Sequence, residues 1–172
     1  MIALTPALLG VAAGVLVGAG VQHTLIGLPR PRDRTHLAFG GVCVLAAAYV
    51  VTGAAILGAP DLSAYRLAVQ LQIGVASALG AALAVFIDAF ARLQRPRVVL
   101  GFVVAFLGAV MVLVTGGLGD AVAVAELPRA RLPWGEVVSP KPPVARTGWL
   151  FLPRVLYLGL TVFLFYAVVM LV

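Results

Sequence analysis

Charge and cysteine are both scarce in this chain. Charged residues make up 10% of its 172, against roughly a quarter in soluble domains. Cys43 is the sole cysteine, which excludes an intrachain disulfide framework or thiol metal site and leaves it the part of a small buried hydrophobe. No phosphate-binding glycine loop, metal-ligand cluster or nucleophile triad can be assembled. Glu126 and Glu136 stand in a loop without catalytic partners. Enzyme activity is therefore not expected. No linker divides the chain, so residues 1–172 read as one domain.

Apolar sequence is abundant instead. The hydrophobic fraction is 63% and the mean hydropathy +1.13. Met1 to Pro29, Thr35 to Pro60, Leu67 to Ile87 and Val98 to Gly119 each run uncharged for 21 or more residues, and Val155 to Val172 for 18. A helix needs roughly 20 apolar residues to cross a ~30 Å hydrocarbon core, and a charge at its centre costs a few kcal/mol. A water-soluble bundle would carry polar stripes; these segments are apolar all round. The expected fold is an all-α integral membrane protein, a bundle of five transmembrane helices at about 6–28, 37–57, 67–90, 98–118 and 153–172. One proline-rich extramembrane loop, 119–148, is expected beside them. The start of the chain lacks the basic n-region of a cleavable signal and runs apolar for too long, so it reads as the first span.

The turns set the orientation. Arg30-Pro31-Arg32-Asp33-Arg34 and the Arg92, Arg95, Arg97 turn with Pro96 carry six arginines, whereas the 61–66 turn carries only Arg66. Basic loops stay in the cytoplasm, which puts the N-terminus outside and the C-terminus inside a bacterial inner membrane. On the other side Arg129, Arg131, Lys141, Arg146 and Arg154 are spread along the long loop and offset by Asp120, Glu126 and Glu136. Gly58-Ala59-Pro60 breaks the second span, and Asp61 to Tyr65 reads as a small turn with Tyr65 and Arg66 as interfacial anchors. Pro128, Pro133, Pro140, Pro142 and Pro143 forbid a long helix in the loop. Pro153 suits the first turn of the fifth span and Trp149 a membrane interface. The net charge of +6 thus lies where lipid headgroups meet it, and membrane lipids, not nucleic acid, are the expected partner.

Polar residues within the spans are few. His23 lies five residues before the end of span one and His36 at the start of span two, an offset of about 7 Å at ~1.5 Å per residue. Two axial ligands of one haem need similar depth, so no cofactor is expected of this chain alone. His23 is left as a candidate for a pigment or haem contact within a larger complex; the plainer account is an interhelical hydrogen bond from His23 and a headgroup contact from His36. Gln22 lies near the inner face and Gln70 and Gln72 near the outer, where they bridge helices. Asp88 would be a proton-relay candidate, but Arg92 at i+4 supplies an ion pair. Transporters show mid-membrane acids or broken helices, and neither is evident. Gly10, Gly14 and Gly18 in span one and Ala76, Gly80 and Ala84 in span three recur every fourth position. Such stripes let helices approach closely, here inside the bundle in preference to an oligomer.

Three stretches together resemble a known family. Gly27-Leu28-Pro29-Arg30-Pro31-Arg32-Asp33-Arg34-Thr35-His36-Leu37-Ala38-Phe39 resembles the first turn of the multi-helix membrane sensor region that opens some bacterial histidine kinases and diguanylate cyclases. Ala64-Tyr65-Arg66-Leu67-Ala68-Val69-Gln70 resembles the start of its third helix, and Leu132-Pro133-Trp134-Gly135-Glu136 a motif of its extracytoplasmic loop. Leu71 and Val85 stand where bulkier rings would be expected, and no output domain follows the fifth span. The resemblance implies a sensor-derived membrane module. Two functions compete: a non-catalytic accessory subunit of a respiratory or photosynthetic membrane assembly, and an input module working through a separate kinase or cyclase. In the first case the small-residue face of Gly10, Gly14 and Gly18 is offered to partners, and the loop from Leu127 to Arg146, with Trp134 and Arg131 as anchors, is expected to dock on a partner protein or on the bundle's own outer face.

Overall fold

A computed structural model describes residues 4–29, 34–112, 126–140 and 151–171. Within them the chain forms five helices: α1 (Leu4–Gly27), α2 (Arg34–Leu57), α3 (Leu62–Ala91), α4 (Pro96–Val112) and α5 (Phe151–Leu171). A two-residue ladder, β1 (Ala130–Arg131) against β2 (Val137–Val138), joins them, antiparallel and in the register 130 to 138 and 131 to 137. α1, α2 and α3 are long and apolar enough to cross a membrane, whereas the apolar stretches of α4 and α5, Pro96–Met111 and Arg154–Met170, are shorter. Three such helices suggest a multi-pass membrane protein. The expected turn Arg30 to Asp33, the far end of span four beyond Val112, and Lys141, Arg146 and Trp149 of the loop lie outside the described residues.

Helices α2, α3, α4 and α5 all start earlier than their uncharged runs, and in α2 and α3 this moves a singled-out residue into the helix. α2 begins at Arg34 rather than near Leu37, which brings His36 into its first turn. α3 begins at Leu62, so the residues expected to form a turn up to Tyr65 are helical. Uncharged runs mark where hydrocarbon can surround a helix, while backbone hydrogen bonding carries on past that boundary. Asp61 provides the start of α3: its Oδ1 accepts from the Ala64 amide at 2.8 Å and the Ser63 hydroxyl at 2.6 Å. These bonds, Ala64 first, hold the Asp61 carboxyl below its ordinary pKa. At the other end Arg92 turns left-handed and its amide reaches the Asp88 carbonyl.

The helices pack in series, α1 on α2, α2 on α3, and α3 on both α4 and α5, which also touch. The α3 stripe is packed as expected, with Gly80 and Ala84 buried and a Cβ at Gly80 falling 2.5 Å from the ring of Phe106. Phe106 is fully buried and meets Tyr157 edge-on at 5.3 Å, while the Tyr157 hydroxyl donates to the Ala76 carbonyl. The α1 stripe is not. Gly10, Gly14 and Gly18 are exposed, with none of the described residues within 4 Å of a Cβ built on any of them. α1 instead buries Ala13, Gly20 and Gly27, spaced by seven, against Gly40, Cys43 and Leu37 of α2. A four-residue spacing defines a face of a helix but not the neighbour it meets, and α1 carries two small faces.

One intraspan polar residue, Asp88, finds a partner different from the one expected, and of Gln22, Gln70 and Gln72 only Gln72 is buried. Asp88 forms no ion pair with Arg92 among the described residues; its Oδ1 accepts from the Arg95 backbone N–H at 2.9 Å, because the left-handed turn brings that amide back to it. Gln72 bridges helices as expected, donating to the Tyr49 carbonyl at 3.4 Å, while Gln22 and Gln70 are exposed.

Candidate functional site

Polar contacts gather at the two ends of the bundle. At one end stand the start of α1, the α2–α3 turn and a strap formed by residues 126–140. Leu132 donates to the Glu136 carbonyl and Gly135 to that of Leu132, both at 2.8 Å. The tight turn needs a φ of 86° at position 135, a left-handed backbone that glycine adopts without a Cβ clash. β1 and β2 flank this turn, and the strap is then tied down at four places. Ser139 donates its amide to the Leu57 carbonyl at 2.9 Å, and Arg129 reaches the Pro60 carbonyl at 3.3 Å. The Tyr65 hydroxyl donates to the Pro140 carbonyl at 2.8 Å. The Oε2 of Glu136 accepts from the amide and hydroxyl of Thr5, at 3.2 and 2.8 Å, and from the Trp134 indole at 3.0 Å.

The loop therefore docks on the bundle's own outer face over its described residues. Tyr65 is not an interfacial anchor but a fully buried peg, packed with Ile56, Ala59, Ala68 and Val69 and covered by Leu127. Its start-of-helix position put the ring beneath the strap, which a linear sequence does not reveal. Trp134 and Arg131 stay outward, with Trp134 52% exposed. The bonds from Trp134 and then Thr5 hold the Glu136 carboxyl below its ordinary 4.5. A lowered folded-state value means that the tie is complete above that ordinary pKa and is lost as the pH falls through the lowered one. The indole N–H resonance of Trp134 is expected to titrate with a midpoint below 4.5, and Glu136→Gln to abolish the titration. A midpoint above it would show that Trp134 and Thr5 do not bind the carboxylate.

At the opposite end His23 and His36 meet, with Nδ1 atoms 3.0 Å apart and ring centroids 5.2 Å apart. His23 also lies edge-on to Phe39 at 4.5 Å, and Phe39, Phe86 and Phe90 continue the aromatic row at 5.4 and 5.6 Å. The interhelical hydrogen bond expected of His23 is thus present, and its partner is His36, for which a headgroup contact was expected. In the α1–α2 register Gly20 faces Gly40 and Gly27 faces Leu37, so the backbones of the two histidines are still offset. Close approach at those glycines lets the rings reach across the offset. A Nδ1–H···Nδ1 bond needs one protonated and one bare Nδ1, which ties up those atoms and leaves the Nε2 positions for other contacts. The pair joins α1 to α2. No group of three or more possible metal ligands occurs among the described residues.

Between the ends, Leu9, Tyr49, Val50, Gly53, Ile56, Leu57 and Gln72 line an apolar cleft of ≈ 260 Å³. Its Gln72 was singled out from the sequence as a bridging carboxamide in an apolar helix; the strap contacts of Thr5, Leu57 and Tyr65 had no local signal. Comparison with protein-family models, with curated proteins and with solved structures finds no match for the chain.

Proposed function

We propose that the chain is a non-catalytic subunit of a larger bacterial inner-membrane assembly, respiratory or photosynthetic, acting by contact with other membrane subunits. In this reading all five helices cross the bilayer. The 17 residues of α4 reach about 25 Å at ~1.5 Å per residue, close to the hydrocarbon thickness. The strap lies outside, with the N-terminus, and the arginine-rich end lies in the cytoplasm. The observation that carries the reading is the outward face of α1. This helix packs chiefly on α2, and Gly10, Gly14 and Gly18 lie open beside Val11 and Val15, each 68% exposed. Lipid gives helices no hydrophobic drive to associate, and small residues that admit a second backbone supply the packing instead.

The test is purification in mild detergent with identification of co-purifying chains. Gly14→Leu is expected to lose the partner while leaving the melting temperature unchanged, since none of the described residues touches that position. A monomeric, partnerless wild-type protein would overturn the reading. Trypsin added to spheroplasts should cut after the exposed Arg131; cutting confined to inverted vesicles would reverse the orientation.

A second reading, an input module for a separate kinase or cyclase, is favoured by the ≈ 260 Å³ cleft. Leu57 both lines that cleft and holds the strap through Ser139. A small apolar ligand there would touch the residue that anchors the outer loop. A kinase or cyclase among the co-purifying chains would select this reading over the first.

A further inference from the structure

A second, larger cleft of ≈ 830 Å³ opens at the arginine-rich end, between the start of α2, the end of α3 and the start of α4. Its two halves differ in chemistry. Arg34, Arg92, Gln94 and Thr35 line the polar half, and Val85, Val99, Leu100 and Val103 the apolar one. Asp88 also lines it, but its Oδ1 accepts the Arg95 amide. Two guanidiniums against one engaged carboxylate leave the cleft positive, and the exposed Arg95 and Arg97 stand on the same turn.

The backbone adds an independent sign. Arg92 and Gln94 have φ of 51° and 52°, among the described residues the only non-glycine positions in the left-handed region. Helices commonly end on glycine at such a position because a Cβ is penalised there. Both residues instead carry long polar side chains, and both line the cleft. Residues held in this region of the backbone cluster at ligand clamps and active sites.

We propose that this cleft is a binding site for an anionic phospholipid. Arg34 and Arg92 take the phosphate, Gln94 offers a further hydrogen-bonding group, and an acyl chain lies along Val85, Val99 and Val103. Basic pockets between membrane helices select acidic headgroups in this way, and guanidinium forks match phosphate oxygens. The proposal rests on the membrane-spanning reading and not on the subunit reading.

The experiment uses the whole protein in mild detergent, with lipid retention read by native mass spectrometry. Phosphatidylglycerol is expected to be retained in preference to phosphatidylcholine. Arg34→Gln and Arg92→Gly should each lower its retention about tenfold, the loss of a charge-assisted hydrogen bond, while Arg66→Gln at the opposite end changes nothing. Arg92→Gly should also melt, without lipid, no lower than the wild type, because glycine relieves the left-handed backbone; a fall in retention with an undiminished melt separates lipid binding from a folding defect. Equal retention of the two lipids, or retention unmoved in both variants, overturns the proposal. So does displacement of phosphatidylglycerol by millimolar inorganic phosphate, which would make this a free-anion site. Any of these results in a protein that still fractionates with membranes leaves the spanning reading intact.

Discussion

Gly40→Val is expected to destabilise the protein by about 2–3 kcal/mol, the range of overpacking in a tight contact, whereas Gly41→Val changes it by less than ~0.5 kcal/mol. The two glycines are neighbours in α2 and point about 100° apart around the helix axis. A Cβ at Gly40 would lie 2.5 Å from the Thr24 hydroxyl, 3.0 Å from the Gly20 carbonyl oxygen and 3.3 Å from the Thr24 amide. Two of those atoms are backbone and cannot turn aside. The third donates to the Gly20 carbonyl at 2.8 Å, so rotating it away forfeits that bond. Relief requires α1 to move off α2, which also parts His23 from His36. None of the described residues lies within 4 Å of a Cβ built on Gly41. Unfolding in graded detergent mixtures measures both, and equal effects would show that α1 does not pack on α2 through this face.

The second large effect lies where α3 meets α4 and α5. Phe106→Ala should cost about 2–4 kcal/mol, mostly the cavity left behind, because lipid is as apolar as the side chain and the transfer gain is small. Gly80→Ala should cost about 1–3 kcal/mol, since its Cβ would fall 2.5 Å from the Phe106 ring, which Tyr157 backs from the other side. The double variant should cost less than the two together, by about 1 kcal/mol or more, because the smaller residue at 106 makes room for the new methyl. Additive losses would place Gly80 and Phe106 out of contact.

Much of the helical layout was legible from charge alone. Charged side chains are excluded from hydrocarbon, so uncharged runs located the three long helices and the two shorter ones. The five prolines marked the loop as non-helical, and its described part folds as a short hairpin strap. Burial of Cys43 and the bridging role of Gln72 followed from single polarity arguments and hold. Other features depend on how helices turn about their axes, which residue type does not encode. α1 offers two small faces of similar composition, and only the neighbour decides that Gly20 and Gly27 are inside while Gly10, Gly14 and Gly18 are outside. His23 and His36 were judged by depth, yet side-chain reach and the close approach at Gly40 decided their contact. Asp61 before an apolar run did carry a readable helix-start signal, and heeding it would have moved Tyr65 from the interface into α3. The long-range ties of the candidate sites, Thr5 to Glu136 above all, have no local signature.

That tie links residues 131 positions apart, and its sequence order has a consequence for biogenesis. α1, α2, α3 and α4 are all synthesised before the strap exists. Until residues 126–140 emerge, the Tyr65 hydroxyl, the Leu57 carbonyl and the first turn of α1 have none of the strap partners described for them. The strap thus works as a closing latch, and contacts so distant in sequence are late to form because their loop must first be closed. A nascent chain arrested before Glu136 would carry α1 to α4 with the strap end unlatched, and that end distinguishes an unfinished copy from a finished one.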